Sequence, residues 1–269
     1  MKKFLSTMIL GLMVSIAAFA ASNNVLVRED LVLPIVQNTS GKVQIQTVGT
    51  FASSPFNSYI VSSISGENFI LDPAMMPSKD LIDLKPVAIV STHADPDHID
   101  INFYHSYDCI KGLLMPGDSF KTKDFHYYNV LSSHKVQDST DMDIKAYGKQ
   151  NLITVLEVNG LRIAHMGDVA QTQLTEKQLK EIGPIDIAFM IIETPYGGID
   201  LKNQYSFKML EQLNPKIVIP THYSPNAFAV IEEKYGKIKE YDNIFQISKE
   251  ELPKTTLNFV HITNTHKYK

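Results

Sequence analysis

Cysteine is almost absent from this chain of 269 residues: Cys109 is the only one, so no disulfide can form within the molecule. Stability must come from a hydrophobic core, with bound metal as a further source. Long apolar runs are missing as well. Beyond the N-terminal segment, no stretch offers the roughly 20 consecutive apolar residues that a membrane helix needs, so no stable membrane insertion is expected. Lys and Arg form no run interleaved with aromatics, and the formal charge is −4, which makes nucleic acid a poor partner. No repeat and no linker-like stretch divides the chain, and none of these features encodes an oligomeric state.

What is present begins at the N-terminus. Met1, Lys2 and Lys3 precede an apolar stretch over about residues 8–19, which closes on Ala18-Phe19-Ala20 and turns polar at Ser22-Asn23-Asn24. This is the layout of a cleavable secretory signal peptide over residues 1–21, cut near Ala20 or Ala21, and it predicts a periplasmic or secreted protein. No Cys follows the apolar stretch, so a lipid anchor is not expected there. Losing Lys2 and Lys3 moves the formal charge from −4 to about −6. Residues 22–269 then form a single domain long enough for a full core.

The first half reads as short strands at residues 43–48, 59–63, 69–71 and 87–90, each bounded by Gly, Pro, Ser or Asn. Residues 152–158 and 161–165 flank Asn159-Gly160, a two-residue hairpin turn in which both positions tolerate positive φ. Thr175 caps a helix running through Glu176, Leu179 and Ile182 to Gly183-Pro184. A buried strand at 185–192, a helix at 203–213 and a strand at 217–219 follow. Residues 227–239 look helical, and 256–262 have the composition of a closing strand. Strands first, then helices and strands in alternation, predict an α/β (α+β) fold with sheets inside and helices outside.

His93, Asp95, Asp97 and His98 stand within six residues, His93-Ala94-Asp95-Pro96-Asp97-His98, directly after an apolar strand. Imidazole nitrogens and carboxylate oxygens are the usual protein ligands for Zn²⁺ and related ions, and Pro96 stiffens the loop that presents them. The plain alternative is a solvated acidic loop that holds two histidines. Elsewhere Asp72, His134, Asp168 and His222 each follow a strand or hydrophobic stretch. Placement at strand ends is how a sheet scaffold assembles one site from distant parts of a chain. His165, three residues before Asp168, is expected as a structural histidine of the core rather than a site residue. Tyr223 could donate to a substrate oxygen or serve in packing. Substrate contacts are expected from loops at residues 53–57, 101–107 and 194–198, and no Lys/Arg cluster adjoins the motifs to hold a phosphate.

The order of these motifs resembles the metallo-β-lactamase-fold superfamily, within it the branch similar to bacterial ascorbate-6-phosphate lactonases. The resemblance spans nearly all of residues 43–262, and Pro215-Lys216-Ile217-Val218-Ile219-Pro220-Thr221-His222-Tyr223 is its most branch-like phrase. It implies a four-layer αββα sandwich and two divalent metal ions, zinc foremost, with manganese or iron as alternatives. It implies a hydroxide held between the ions as nucleophile toward a small-molecule lactone, amide or phosphoester. Carried over residue by residue, it places His93, Asp95 and His134 around one ion and Asp97, His98 and His222 around the other, with Asp168 bridging. Asp72 is expected behind these ligands, holding the loop or a histidine. Asp97 and Tyr223 are the catalytic candidates, Asp97 for handling the proton.

One position departs from the family pattern: Asp95 stands where a second His of the loop is expected. With three carboxylates and a hydroxide, two divalent ions sum to a neutral centre, and the first site becomes harder, shifting preference from Zn²⁺ toward Mn²⁺ or Fe²⁺. Alternatively Asp95 does not ligate and a single site remains. Two other functions stay open on these residues: a phosphodiesterase related to the phospholipase branch of the fold, and a metal-binding protein without catalysis.

Overall fold

The computed structural model describes residues 37–48, 58–74, 84–112, 115–136, 150–255 and 257–263. The expected signal peptide and the loop at 53–57 lie outside them. Strands and helices are numbered in chain order.

One sheet is built from β1 (Val43–Val48), β2 (Ser58–Ser62), β3 (Asn68–Leu71), β4 (Pro86–Val90), β5 (Ile110–Lys111) and the late strand β13 (Ile244–Ile247), in the order β13-β1-β2-β3-β4-β5. The second contains β6 (Ser119–Lys121), β7 (Phe125–Ser133), β8 (Gln150–Val158), β9 (Leu161–His165), β10 (Ile187–Ile191), β11 (Ile217–Thr221), β12 (Lys239–Asp242) and β14 (Asn258–Thr263). Their order is β12-β14-β11-β10-β9-β8-β7-β6.

The layering follows from period-two burial. In β3, Phe69 and Leu71 enter the core between the sheets while Ile70 points to the opposite face. The central core joins Ile45, Val61, Phe69 and Val90 of the first sheet to Tyr127, Leu156, Ile163, Phe189 and Ile219 of the second. On the outer face of the first sheet, Ile60, Ile70 and Ile89 pack against Phe103 and Tyr104 of α1 (Ile101–Ser106). The second sheet's outer face carries Val155, Ala164, Ala188 and Val218. They pack with residues of α2 (Glu176–Ile182), α3 (Tyr205–Leu213) and α4 (Ala227–Tyr235). This is the four-layer αββα sandwich.

Local signals account for most boundaries. Asn159 and Gly160 both take positive φ, 46° and 81°, and join β8 to β9 with Val158 opposite Leu161. Thr175 and Gln178 form a reciprocal capping box at α2, and Gly183 at φ 69° ends it. Pro220 is tolerated in β11 because pairing with β14 involves only Ile217 and Val218, so the ladder beside it has ended before the missing N–H matters.

Four differences stand out. Residues 101–107, expected as a loop, begin with helix α1, whose N-cap Asp100 accepts from the backbone of Asn102 and Phe103. The stretch before His134 is the end of a nine-residue strand, β7. The helix expected at 227–239 stops at Tyr235, where Gly236 takes φ 86°, and Lys239 opens β12. Strands β5, β6, β12 and β13 arise where the sequence pattern marks no strand.

Strand direction gathers the site. Strands β9, β10 and β11 run parallel, and β7 shares their direction because both β7 and β9 are antiparallel to β8. Their C-terminal ends therefore share one edge of the sheet. Parallel β3 and β4 deliver Asp72 and the 93–98 loop from the other sheet. Among the described residues, no helix is long and apolar enough to cross a membrane.

Candidate metal centre

The seven expected ligands converge. His93, Asp95 and His134 form one group, His93, Asp97 and His98 a second, and His98, Asp168 and His222 a third, with candidate ligand atoms within 4.8 Å of one another in each. Asp168 stands between the two expected sites. Its Oδ1 lies 3.2 Å from His98 Nε2 and 3.1 Å from His222 Nε2, while Oδ2 lies 3.3 Å from His134 Nε2. Asp95 is turned into the first site: its Oδ2 is 3.6 Å from His134 Nε2 and 3.9 Å from His93 Nε2.

The donor set fits two divalent cations. His93 Nε2, His134 Nε2 and Asp168 Oδ1 are buried without a hydrogen bond among the described residues, an expense that a bound cation would remove. His98 Nε2 and His222 Nε2 face each other at 3.2 Å, a contact between two lone pairs unless a proton or a cation sits at it. His93, Asp95 and His134 with one oxygen of Asp168 would hold one ion. Asp97, His98 and His222 with the other oxygen would hold its neighbour.

Behind the ligands, Asp72 fixes their tautomers. Its Oδ1 accepts from Thr92 N at 2.7 Å, and its Oδ2 accepts from Thr92 Oγ1 at 2.9 Å and from His98 Nδ1 at 2.7 Å. With its proton committed to Asp72, Thr92 Oγ1 can only accept from His93 Nδ1, 3.1 Å away. Both histidines thus carry hydrogen on Nδ1, so that the neutral ring of each turns a lone pair on Nε2 toward the centre. Asp72 does this from an unusual backbone conformation, φ 47°; His222, at φ 46°, shares it. Left-handed backbone is costly away from Gly, and its occurrence at two site residues marks positions held by their surroundings.

His165 is buried as expected, stacked on Phe189, but it also belongs to this supporting layer: its Nδ1 accepts from Gly167 N at 2.9 Å, and its Nε2 lies 3.4 Å from Asp72 Oδ2. Three supports had no signal of their own in the sequence. Asn151 Oδ1 accepts from Asp168 N at 2.9 Å and its Nδ2 donates to Met166 O at 2.8 Å, fixing the turn that presents Asp168. Gly167, at φ 56°, permits this approach, since a Cβ there would lie 2.3 Å from Asn151 Oδ1 and 2.7 Å from Thr92 Cβ. Ser91 Oγ donates toward His93 O at 2.5 Å and His98 O at 3.1 Å, tying the two ends of the motif loop.

The electrostatics without metal show what a cation would replace. Burial pushes His93 down to about 3, aided by the neighbouring His98 cation, and burial also pushes His222 down to about 3. Burial opposes charge on His98 too, yet the Asp72 and Asp168 carboxylates outweigh it and raise His98 to about 10. Burial likewise disfavours the Asp168 carboxylate, but the His134 and His98 imidazoles close beside its oxygens hold it well below the usual carboxylate range. The protein keeps one proton among these carboxylates where metal charge would otherwise sit.

Of the two roles open to Tyr223, substrate contact and packing, the packing contacts are plain. Its hydroxyl is engaged with His261 Nε2 at 2.8 Å and its ring packs on Phe228, while burial raises the phenol to about 12. The residue lines the cavity beside the centre, where its hydroxyl is already committed.

A model of the "beta-lactamase superfamily domain" matches residues 53–222. The chain is similar in structure to a candidate Zn-dependent hydrolase of the metallo-β-lactamase superfamily from Thermotoga maritima. The TM-score is 0.58 at 18% identity, covering 82% of this chain and 100% of that one. It is also similar to Igni18, a metallo hydrolase from Ignicoccus hospitalis, with a TM-score of 0.52 at 16% identity, covering 77% and 97% respectively. With motif order, layers and matched model in agreement, this chain belongs to the beta-lactamase superfamily domain family and has the metallo-β-lactamase fold.

Proposed function

We propose that the protein is an exported hydrolase that uses two divalent ions to open a lactone, amide or phosphoester by attack of a water-derived hydroxide. The observation that carries this reading is the placement of Asp168, whose two carboxylate oxygens face two separate histidine groups. When bound, such a pair of ions brings the ionisation of water toward neutral pH and offers positive charge to a developing oxyanion.

The chain's own residues supply the rest. Asp168 spans the two groups and sets their separation, and Asp72 and Thr92 keep the Nε2 lone pairs of His98 and His93 aimed inward. Asp97 lies in the cluster and also lines the adjoining cavity, the position from which a carboxylate can orient the nucleophile and take its proton. Asp95 supplies a hard oxygen donor to the first site, which favours Mn²⁺ or Fe²⁺ over Zn²⁺ there. The basic, then apolar, then Ala-rich N-terminus supports export.

A metal-by-substrate matrix tests the reading: Zn²⁺, Mn²⁺ and Fe²⁺ against lactone, amide and phosphoester panels, with Asp97→Asn beside the native chain. Hydrolysis in at least one cell, reduced about 100-fold or more in the variant, is expected. No hydrolysis by protein that has bound two equivalents of metal would refute it. The mass of the mature chain, starting after Ala20 or Ala21, checks export.

A further inference from the structure

Beside the cluster lies a cavity of about 250 Å³. The candidate ligands Asp97, Asp168 and His222 line it together with Glu193, Pro195, Tyr196 and Tyr223. Among the described residues, no Lys or Arg lines it. The wall that carries Tyr196 is fixed to the site, because Val136 N donates to Gly197 O at 2.7 Å. A Cβ on Gly197 would lie 3.2 Å from His134 O.

Glu193 is held beside His222. Its backbone N donates to His222 O at 2.7 Å and its Oε2 accepts from Ser224 N at 2.8 Å. Two ions with Asp95, Asp97, Asp168 and a hydroxide sum to zero. Glu193 therefore leaves the cavity formally negative, with Asp72 adding a further negative charge in the layer behind. A phosphate monoester would meet that charge with no guanidinium or ammonium among the described lining residues to receive it, whereas a cationic group would be attracted.

We propose that this cavity selects a neutral or cationic acyl compound, a lactone, ester or amide whose apolar body rests on Pro195, Tyr196 and Tyr223, and that Glu193 determines this charge preference. Hydrolysis would join the oxygen of water to the acyl carbon and break the acyl C–O or C–N bond, with one water proton passing to the leaving group. The reaction rests on the hydrolase reading above; the charge preference rests on the cavity alone.

The test uses metal-loaded full-length protein and three p-nitrophenyl esters of similar size: aminohexanoate, hexanoate and the monoester of adipate. Binding of hexyltrimethylammonium, hexanol and hexanesulfonate is measured in parallel, so that recognition is read without turnover. The expected order is cationic, neutral, anionic in both series. Glu193→Gln should cut the cationic-to-anionic ratio about tenfold, the scale of one charge at close range. A preference for the anionic member, or a ratio unchanged in the variant, would overturn the proposal. Charge-ranked binding without turnover would leave the cavity assignment standing and overturn the hydrolase reading. Turnover without charge order would do the opposite, and absence of both would overturn both. Should the Glu193 variant fold poorly, the native ranking still decides. Tyr196→Ala, at a side chain 94% exposed, should then erode the advantage of hexanoyl over acetyl esters, and an undiminished advantage would remove the aromatic wall from the proposal.

Discussion

Replacing Asp72 by Asn removes one negative charge and changes one acceptor atom into a donor, at a residue buried behind the metal centre. The native carboxylate accepts three hydrogen bonds, from Thr92 N, Thr92 Oγ1 and His98 Nδ1. An Asn that keeps its oxygen on Thr92 N presents its NH₂ to Thr92 Oγ1 and His98 Nδ1. His98 must then move its proton to Nε2, the atom required by the second site, or leave a buried donor facing a donor. An unsatisfied buried group costs about 1–3 kcal/mol, roughly 5- to 150-fold in affinity, which brackets the usual effect of losing such a support. The loss should fall mainly on the site formed by Asp97, His98 and His222. The other site feels it through the weaker chain from Asp72 to Thr92 to His93 Nδ1. Competition with a chromophoric chelator resolves the two affinities, and thermal unfolding in excess chelator shows whether the metal-free fold survives. Two sites of native affinity in a folded variant would refute the tautomer argument; equal loss at both sites would refute its assignment to His98.

Metal binding should also depend on pH in a defined direction. His98, raised to about 10 by Asp72 and Asp168 against burial, must lose a proton to ligate, while His93 and His222, held down near 3, are already neutral at about pH 7. Affinity should therefore rise about tenfold per pH unit up to about 10, where His98 has lost its proton, with proton release visible by calorimetry in buffers of different ionisation heat; pH-independent affinity would contradict the one-proton account. The sign for folding is the reverse. A group raised in the folded state gives its full stabilisation below about 6.5, and the metal-free protein loses it as pH rises toward 10. At the first site, Asp95→His should move metal selectivity toward Zn²⁺, read as the bound ratio after equilibration with equal Zn²⁺ and Mn²⁺; an unchanged ratio would mean that Asp95 is not a ligand.

How much of this centre is legible in the sequence depends on how each contact is made. The segment from His93 to His98 is contiguous, so chemistry and spacing can be read together. Asp72, His134, Asp168 and His222 are legible for another reason: each follows a strand, and in this topology the relevant strand ends meet at one edge. Thr92, Asn151 and His165 could not be read in this way. Their role depends on register between neighbouring strands, as where Thr154 on β8 pairs with His165 on β9, or on a side chain reaching across a turn. The same limit hid β7, where Phe125, His126, Tyr127, Tyr128 and Asn129 mix aromatic and polar residues on both faces and blur the alternation. Glu193 has the composition of an ordinary rim residue, and only its place beside His222 gives it meaning.

The strained backbone at Asp72 and His222 connects these levels. Each residue ends a strand, in a sheet whose neighbours hold it in place, and each turns at once into left-handed conformation. A chain that continued in extended conformation would carry the next side chain past the edge. The turn instead brings Asp72 under His98 and sets His222 beside Asp168. The cost of such a conformation is of order 1–3 kcal/mol at each residue, and it has to be met by the contacts that hold it. At Asp72 those contacts are the three hydrogen bonds to its carboxylate and Ser58 Oγ, which donates to the Asp72 carbonyl at 2.6 Å. At His222 the carbonyl accepts from Glu193 N at 2.7 Å. The residue assigned the charge preference of the cavity is therefore also a brace for a metal ligand. That coupling is why the Glu193 variant is judged by a ratio between substrates: a loosened His222 lowers every member of the series together, while a lost charge separates them.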